Sequence, residues 1–360
     1  MREKITERYD ALDGLRTIAA LCIVAMHVAF NLDYEIPALR QTNVLYFFDN
    51  FTYLFMIISG FGMCCGYYER VSRGEITPSE FYRKRYEKVL PFFACLVLLD
   101  LFLNFSVNSL IEGIADITLV FSLLPNPDIS VIGVGWTLGV IFLFYLLFPF
   151  FCFLLDNRKR AWIAFVVAVF YNVASEVYFL DTNHVIEGFR NRTNFAYCAM
   201  FFVSGGILYL YRDIISKKVD KYRLFVMTAA WAATLSYIFR PDGCSIILRN
   251  LWQLLIFVIW VCYAIGTNGK ILCNACTKFI SGISFEIYLC HMIVFRLVEK
   301  LGLHYMFGKR WIAYLFTVSI VIIGAMIFSI LARRGLKLLT NVIFRISNEM
   351  KVKSGKRGAE

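Results

Sequence analysis

Charge is what this chain has least of. Only 18% of its 360 residues are Asp, Glu, Lys or Arg. A soluble domain carries roughly a quarter, so an ordinary water-solvated surface is excluded. Histidine is scarcer still, with four residues. A cleavable leader is not expected: the first apolar segment carries Arg16 and His27 and lacks an A-x-A-like cleavage site. Nor is a lipid anchor, an internal repeat or a second soluble domain expected. The eleven cysteines are odd in number and scattered, which argues against a disulfide framework. Most of them (Cys22, Cys64, Cys65, Cys95, Cys152, Cys198, Cys262 and Cys290) fall in apolar runs, where cysteine acts as a small hydrophobe. Cys273-x-x-Cys276 has the spacing of half a zinc site but lacks two further nearby ligands, so no metal is expected.

Apolar length is abundant: 59% of the residues are hydrophobic and 17% aromatic. Runs near the 20-residue length that crosses a bilayer recur at 15–33, 45–67, 89–106, 134–155, 161–180, 195–211, 224–239, 246–266, 280–298 and 311–331. These predict an all-α, polytopic integral membrane bundle of about ten helices. Between the third and fourth runs, Ile117–Leu124 is too short to cross and Pro125 and Pro127 follow. That stretch reads as an interfacial or re-entrant hairpin, whose irregular backbone must be buried in protein. With the N-terminus placed in the cytoplasm, 28 of the 37 basic residues fall on the inside and nine on the outside. Such a bias is the positive-inside pattern, and it puts both termini in the cytoplasm. The net charge of +11 belongs to this asymmetry, so nucleic acid need not be invoked. Residues 1–335 form the membrane domain and 336–360 a basic cytoplasmic tail, whose last residues suit anionic lipid headgroups.

Within this apolar chain a few ionisable residues stand out, because each is expensive in a spanning helix. Arg16 and His27 lie on the first run, about 16 Å apart at about 1.5 Å of rise per residue. Arg16 read alone marks the membrane boundary. His27 lies past the middle of its run, among Ala25, Met26, Val28 and Ala29. It is either a packed, neutral imidazole or a general base, the role its near-neutral pKa suits. His291 reaches about the same depth on the ninth run, so the two imidazoles could share a cavity. Glu286 lies one to two turns nearer the cytoplasm on that run. Glu286 and His291 either satisfy interhelical hydrogen bonds or take part in chemistry.

The inside segment Phe81-Tyr-Arg83-Lys84-Arg85-Tyr-Glu-Lys88 ends at Pro91. Its four basic residues are either topology charges or a clamp for phosphates, whose oxygens the guanidinium fork fits. With Arg16 at the same rim, a phosphorylated cytoplasmic ligand becomes a candidate. Ser59-Gly60-Phe61-Gly62 offers small residues for close helix approach. On the outer side, Trp136 and Tyr145 fit packing or an interfacial belt, and Arg190, Arg192 and Asn194 fit either anchoring or a polar acceptor. His184 and His304 are expected in exposed loops with no role. Pro91 and Pro149 are expected near helix ends.

Leu12-Asp13-Gly14-Leu15-Arg16, with His27 closing an R-x10-H spacing, resembles the membrane acyltransferase 3 family. So do Phe55-x3-Ser59-Gly60-Phe61, Arg83-x-Arg85 with Pro91, and Trp136-Thr137-Leu138 with Phe144-Tyr145 and Pro149. Ser284-Phe-x-Ile-Tyr288-Leu-x-His291 resembles the family's late-helix motif. Together these motifs cover about residues 9 to 295. The resemblance implies transfer of an acyl group, usually acetyl, from cytoplasmic acyl-CoA to a hydroxyl of an envelope carbohydrate. It makes His27 and Arg16 the essential pair and gives Arg83 and Arg85 to the acyl-CoA.

In that scheme His27 acts as general base or takes up the acyl group transiently. Arg16, Arg83 and Arg85 bind CoA phosphates, and His291 and Glu286 orient or tune His27. The donor is acetyl-CoA or another acyl-CoA, with no tightly bound cofactor. The expected partners are membrane lipid, the donor and a carbohydrate acceptor, in a multi-pass protein of the cell membrane; homo-oligomerisation stays open. Two departures are evident. The family's helix-4 motif often carries a Glu where this chain has Ile141, and no esterase-like domain is expected after the last helix. A proton-coupled transporter or exporter of an envelope precursor is the alternative, because intramembrane His and Glu also build proton relays. Against it, no paired broken helices are expected, although transporters often use them. A non-catalytic assembly protein is the third reading.

Overall fold

The computed structural model describes residues 9–124, 129–181 and 183–357, from 343 on as backbone only. Among the described residues every regular element is a helix. In chain order the α-helices of eight residues or more are α1 (Asp10–Asn31), α2 (Phe51–Met63), α3 (Pro78–Leu103), α4 (Val107–Ile117), α5 (Trp136–Leu146), α6 (Phe148–Leu155) and α7 (Arg158–Ala174). They are followed by α8 (Ala199–Leu210), α9 (Arg212–Lys221), α10 (Arg223–Ile238), α11 (Ile246–Ile265), α12 (Ala275–Lys300) and α13 (Arg310–Arg357).

All ten expected segments are helical, but fewer than ten satisfy the demands of a simple crossing. Six helices are long and apolar enough, and eight if each of two bent pairs counts as one span. α10 has only 16 residues, which at about 1.5 Å each falls short of a hydrocarbon core of about 30 Å. The other segment, 89–106, falls largely within α3, whose first half holds the basic run from Arg83 to Lys88. The bent pairs are α5–α6, at 60°, and α8–α9, at 77°. Helices broken in this way were not expected from the sequence. Pro149 stands at the start of α6, where its missing amide has no intrahelical acceptor to lose. Pro91, by contrast, lies inside α3 and not near its end. Thr77 accepts from the Glu80 amide at 3.2 Å and Pro78 opens the first turn. The helix therefore begins in the basic segment and carries Pro91 into its interior.

The stretch after α3 is a hairpin. Ser106 and Ser109 form a reciprocal capping box that starts α4, and Gly113 lets α4 lie on Val97 and Leu101 of α3. The chain then turns at Phe121–Leu123, where Phe121 and Ser122 are buried and Leu123 is exposed. At the C-terminal end, α13 runs without a break from Arg310 to Arg357.

Two close approaches position the site. α2 crosses α8 where Gly60 faces Phe202 and Gly205 faces Ile57: a Cβ on Gly205 would stand 2.2 Å from the Ile57 carbonyl oxygen, and one on Gly60 2.3 Å from that of Phe202. α1 pairs in parallel with α12. Lys278 meets Asp10 at 2.7 Å, the Ser281 hydroxyl donates to Asp13 at 2.8 Å, and the Thr17 hydroxyl donates to the Thr277 carbonyl at 2.9 Å. Asp10 and Asp13 also complement the dipole of α1 from its first turn. Gly14 allows this pairing, since a Cβ there would lie 2.5 Å from the Leu272 carbonyl oxygen. Overpacking a tight contact costs about 1–3 kcal/mol. Gly205→Ala is therefore expected to lower the thermal unfolding midpoint in detergent by several degrees. An unchanged midpoint would disprove the close crossing.

Candidate active site

The parallel pairing of α1 and α12 brings His27 and His291 together, with ring centroids 5.1 Å apart and planes inclined at 43°. His291 is fully buried. Its Nδ1 faces the main-chain oxygens of Tyr288, at 2.7 Å, and Ile287, at 3.3 Å. A ring nitrogen facing carbonyls must carry the proton, so Nε2 holds a lone pair. That Nε2 is buried and without a partner. His27 is half-buried, and its ring has no carboxylate partner among the described residues. Tyr288 holds the floor beneath the pair: its hydroxyl donates to the Val134 carbonyl at 2.8 Å and pairs with Thr137 at 2.9 Å.

Glu286 is not joined to His27. Its carboxylate takes the Arg333 Nε–H at 2.5 Å, tying α12 to α13, and its second oxygen is buried without a partner. Ile141, which stands where the family often has a Glu, is a half-buried apolar residue of α5.

Toward the basic end lies a cavity of about 530 Å³, lined by Arg16, Arg85, Lys88, Tyr67, Ser59 and Tyr145 among others. Arg16 reaches it past Gly62, where a Cβ would stand 3.3 Å from the guanidinium. Asp13 lies 3.8 Å from Arg16 and also lines the wall. Arg85 donates to the Tyr67 hydroxyl. It also covers the Tyr67 ring at 4.4 Å and lies 5.8 Å from the Tyr145 ring. Tyr67 is presented by a π turn over Cys64–Tyr68 that continues α2. The extra residue of such a turn rotates the downstream side chains by about 100°. Among the described residues neither Arg85 nor Lys88 forms a salt bridge, and the cavity wall carries three cations and one carboxylate, Asp13. Such a cluster in a partly desolvated pocket favours an anion.

Arg83 is not part of this wall. It is exposed, 3.8 Å from Glu87. On a helix, positions 83 and 85 point about 200° apart, whereas 85 and 88 share a face. Lys88 was therefore readable as Arg85's companion once the segment was known to be helical. Arg333 was not readable, because nothing in its own neighbourhood points to Glu286.

Two other polar candidates, Arg192 and Asn194, are engaged. Arg192 pairs with Asp49 at 2.6 Å and lies over Trp136 at 5.0 Å, and Asn194 accepts from the Ala196 and Tyr197 amides at 3.0 and 3.1 Å. Both act as anchors. His184 meets Asp181 at 2.6 Å. His304 is buried rather than exposed, 4.0 Å from Asp33, because the turn that carries it folds back against the bundle.

Residues 9–332 match a family described as an acyltransferase domain. No curated protein and no solved structure matches the chain.

Arg333→Met strands the Glu286 carboxylate, which is only 6% exposed. Leaving a buried polar group unpaired costs about 1–3 kcal/mol, so a lower unfolding midpoint is expected. Adding Glu286→Gln should restore part of the loss. A double variant no more stable than Arg333→Met would refute the pairing.

Proposed function

We propose that this chain, which belongs to the acyltransferase 3 family, moves an acyl group, most simply acetyl, from cytoplasmic acyl-CoA to a hydroxyl of a cell-envelope carbohydrate. The protein is a multi-pass membrane acyltransferase. The donor, the acceptor, the cell membrane and cytoplasmic termini belong to the proposal. One observation carries it: among the described residues, the cavity at the basic end is lined by three cations, Arg16, Arg85 and Lys88, and one carboxylate, Asp13. Phosphates of a CoA moiety supply the missing negative charge, and guanidinium forks suit them.

In the proposed reaction His27 takes the proton from the acceptor hydroxyl. The hydroxyl oxygen attacks the thioester carbonyl, the carbon–sulfur bond breaks, and the proton passes from His27 to the departing thiolate. His291, with its Nδ1 proton committed to the backbone, packs its ring against that of His27 and limits its orientation. Glu286 acts at a distance, by holding α12 against α13 through Arg333.

The decisive test is thermal stabilisation by acetyl-CoA, since a ligand that binds only the folded state raises apparent stability. Arg16→Ala, Arg85→Ala and Lys88→Ala should each reduce the shift, and Arg83→Ala should leave most of it. Loss of the shift in Arg83→Ala alone would move the clamp to the exposed face of α3. No shift in the wild type would exclude acetyl-CoA as donor. His27→Ala should abolish transfer while keeping the wild-type unfolding midpoint, and retained transfer would remove His27 from the chemistry.

A further inference from the structure

The cavity does not reach the imidazoles. Neither His27 nor His291 is among the residues that line it. Ser59 and Tyr145 do line it, and their hydroxyls join α2 to α5 at 2.8 Å. One turn further along α2, Phe55 meets the Tyr288 ring edge-on at 6.2 Å. Tyr288 in turn lies 6.2 Å from His291, which touches His27. Ser59, Phe55 and Tyr288 thus stand in contact between cavity and imidazoles, and the contact nearest the cavity is a hydrogen bond between two helices.

We infer that the Ser59–Tyr145 hydrogen bond is a gate between the donor cavity and the imidazole pair, and that it sets which acyl chains pass. This rests on the acyl-CoA reading of the cavity. The barrier is of the right kind. A hydroxyl pair between helices contributes about 0.5–1.5 kcal/mol, enough to hold a closed state without locking it. Tyr145 is also placed to sense the donor, because Arg85 lies 5.8 Å from its ring. A phosphate that draws Arg85 toward itself withdraws a cation from the face of Tyr145. α5 is bent against α6 at its far end, so the segment carrying Tyr145 ends at a joint, close to the break at Leu147. A gate here serves the chemistry by keeping water from a thioester until the donor is seated. It also selects by length, since an acetyl group needs a narrower opening than a longer chain. Ser59 and Tyr145 are positioning residues in this account, as neither touches the reacting atoms.

Ser59→Ala and Tyr145→Phe each remove the bond with a minimal change of shape. The measurements are CoA release from acetyl-, propionyl- and butyryl-CoA without acceptor, and the affinity for CoA itself. An open gate predicts a roughly threefold to tenfold rise in acceptor-free CoA release, in line with the loss of one such bond. The butyryl-to-acetyl ratio should rise as well, with CoA affinity within about twofold of wild type. The double variant should match the single ones, because the same bond is removed. Unchanged release and an unchanged chain-length ratio, with CoA affinity and unfolding midpoint retained, would overturn the gate and leave the donor reading standing. Failure of the wild type to bind CoA would overturn both. A variant that loses stability without changing the chain-length ratio shows the bond to be structural, which also overturns the gate.

Discussion

The parallel contact between α1 and α12 is the interaction on which the rest of the molecule depends. Two helices far apart in sequence are held side by side by polar pairs near one end, Asp10–Lys278, Asp13–Ser281 and Thr17 with the Thr277 carbonyl. Because both helices rise at about 1.5 Å per residue, the parallel pairing begun at that end continues along the helices. Fourteen residues beyond Asp13 on α1, and ten beyond Ser281 on α12, His27 meets His291. Gly14 makes the approach possible by leaving room for the Leu272 backbone. The polar contacts that fix the helices and the imidazoles that face each other are consequences of one packing arrangement.

A second constraint is the handling of charge. Two ionisable pairs away from the cavity are neutralised in place, Arg192–Asp49 and Arg333–Glu286. The cavity at the basic end is the exception, with Arg16, Arg85 and Lys88 around Asp13. Guanidinium groups tolerate such crowding when aromatic faces and hydroxyls share the load. Tyr67 provides both to Arg85, and it does so because α2 gains a residue in its π turn. The irregular turn and the uncompensated cations are one feature seen twice.

The two chemically distinctive regions lie in series along α2, with glycine and serine between them. Gly60 accommodates α8, Gly62 accommodates Arg16, and Ser59 reaches Tyr145. Small side chains at these places do different jobs within one turn of helix: two admit neighbouring groups, and one forms a hydrogen bond to a third helix. Larger residues there would separate α2 from its neighbours and lengthen the path between cavity and imidazoles.

Helical class, the ten apolar segments and the common level of His27 and His291 were legible from the sequence, because apolar length and helical rise are local properties. Gly60 stood in a motif whose packing role could be anticipated, whereas the packing role of Gly14 appeared only in the structure. The fate of each charge was another matter. Arg83 and Arg85 look equivalent as a pair in sequence, but the N-terminal extension of α3 through Pro78 puts them on opposite faces and makes Lys88 the companion of Arg85. Glu286 could be read as a partner for His27, but its position on α12 gives it to Arg333. The segment 224–239 reads as a spanning run, but its helix is too short for a simple crossing. Sequence by itself determined which segments are apolar and helical and that His27 and His291 stand at one level, since hydrophobicity and rise are additive along a chain. Which charges meet, which remain uncompensated and which hydroxyls close the route between them was decided only by tertiary structure. Those contacts depend on the rotation of each helix about its axis, and rotation is set by neighbours that the local sequence does not contain.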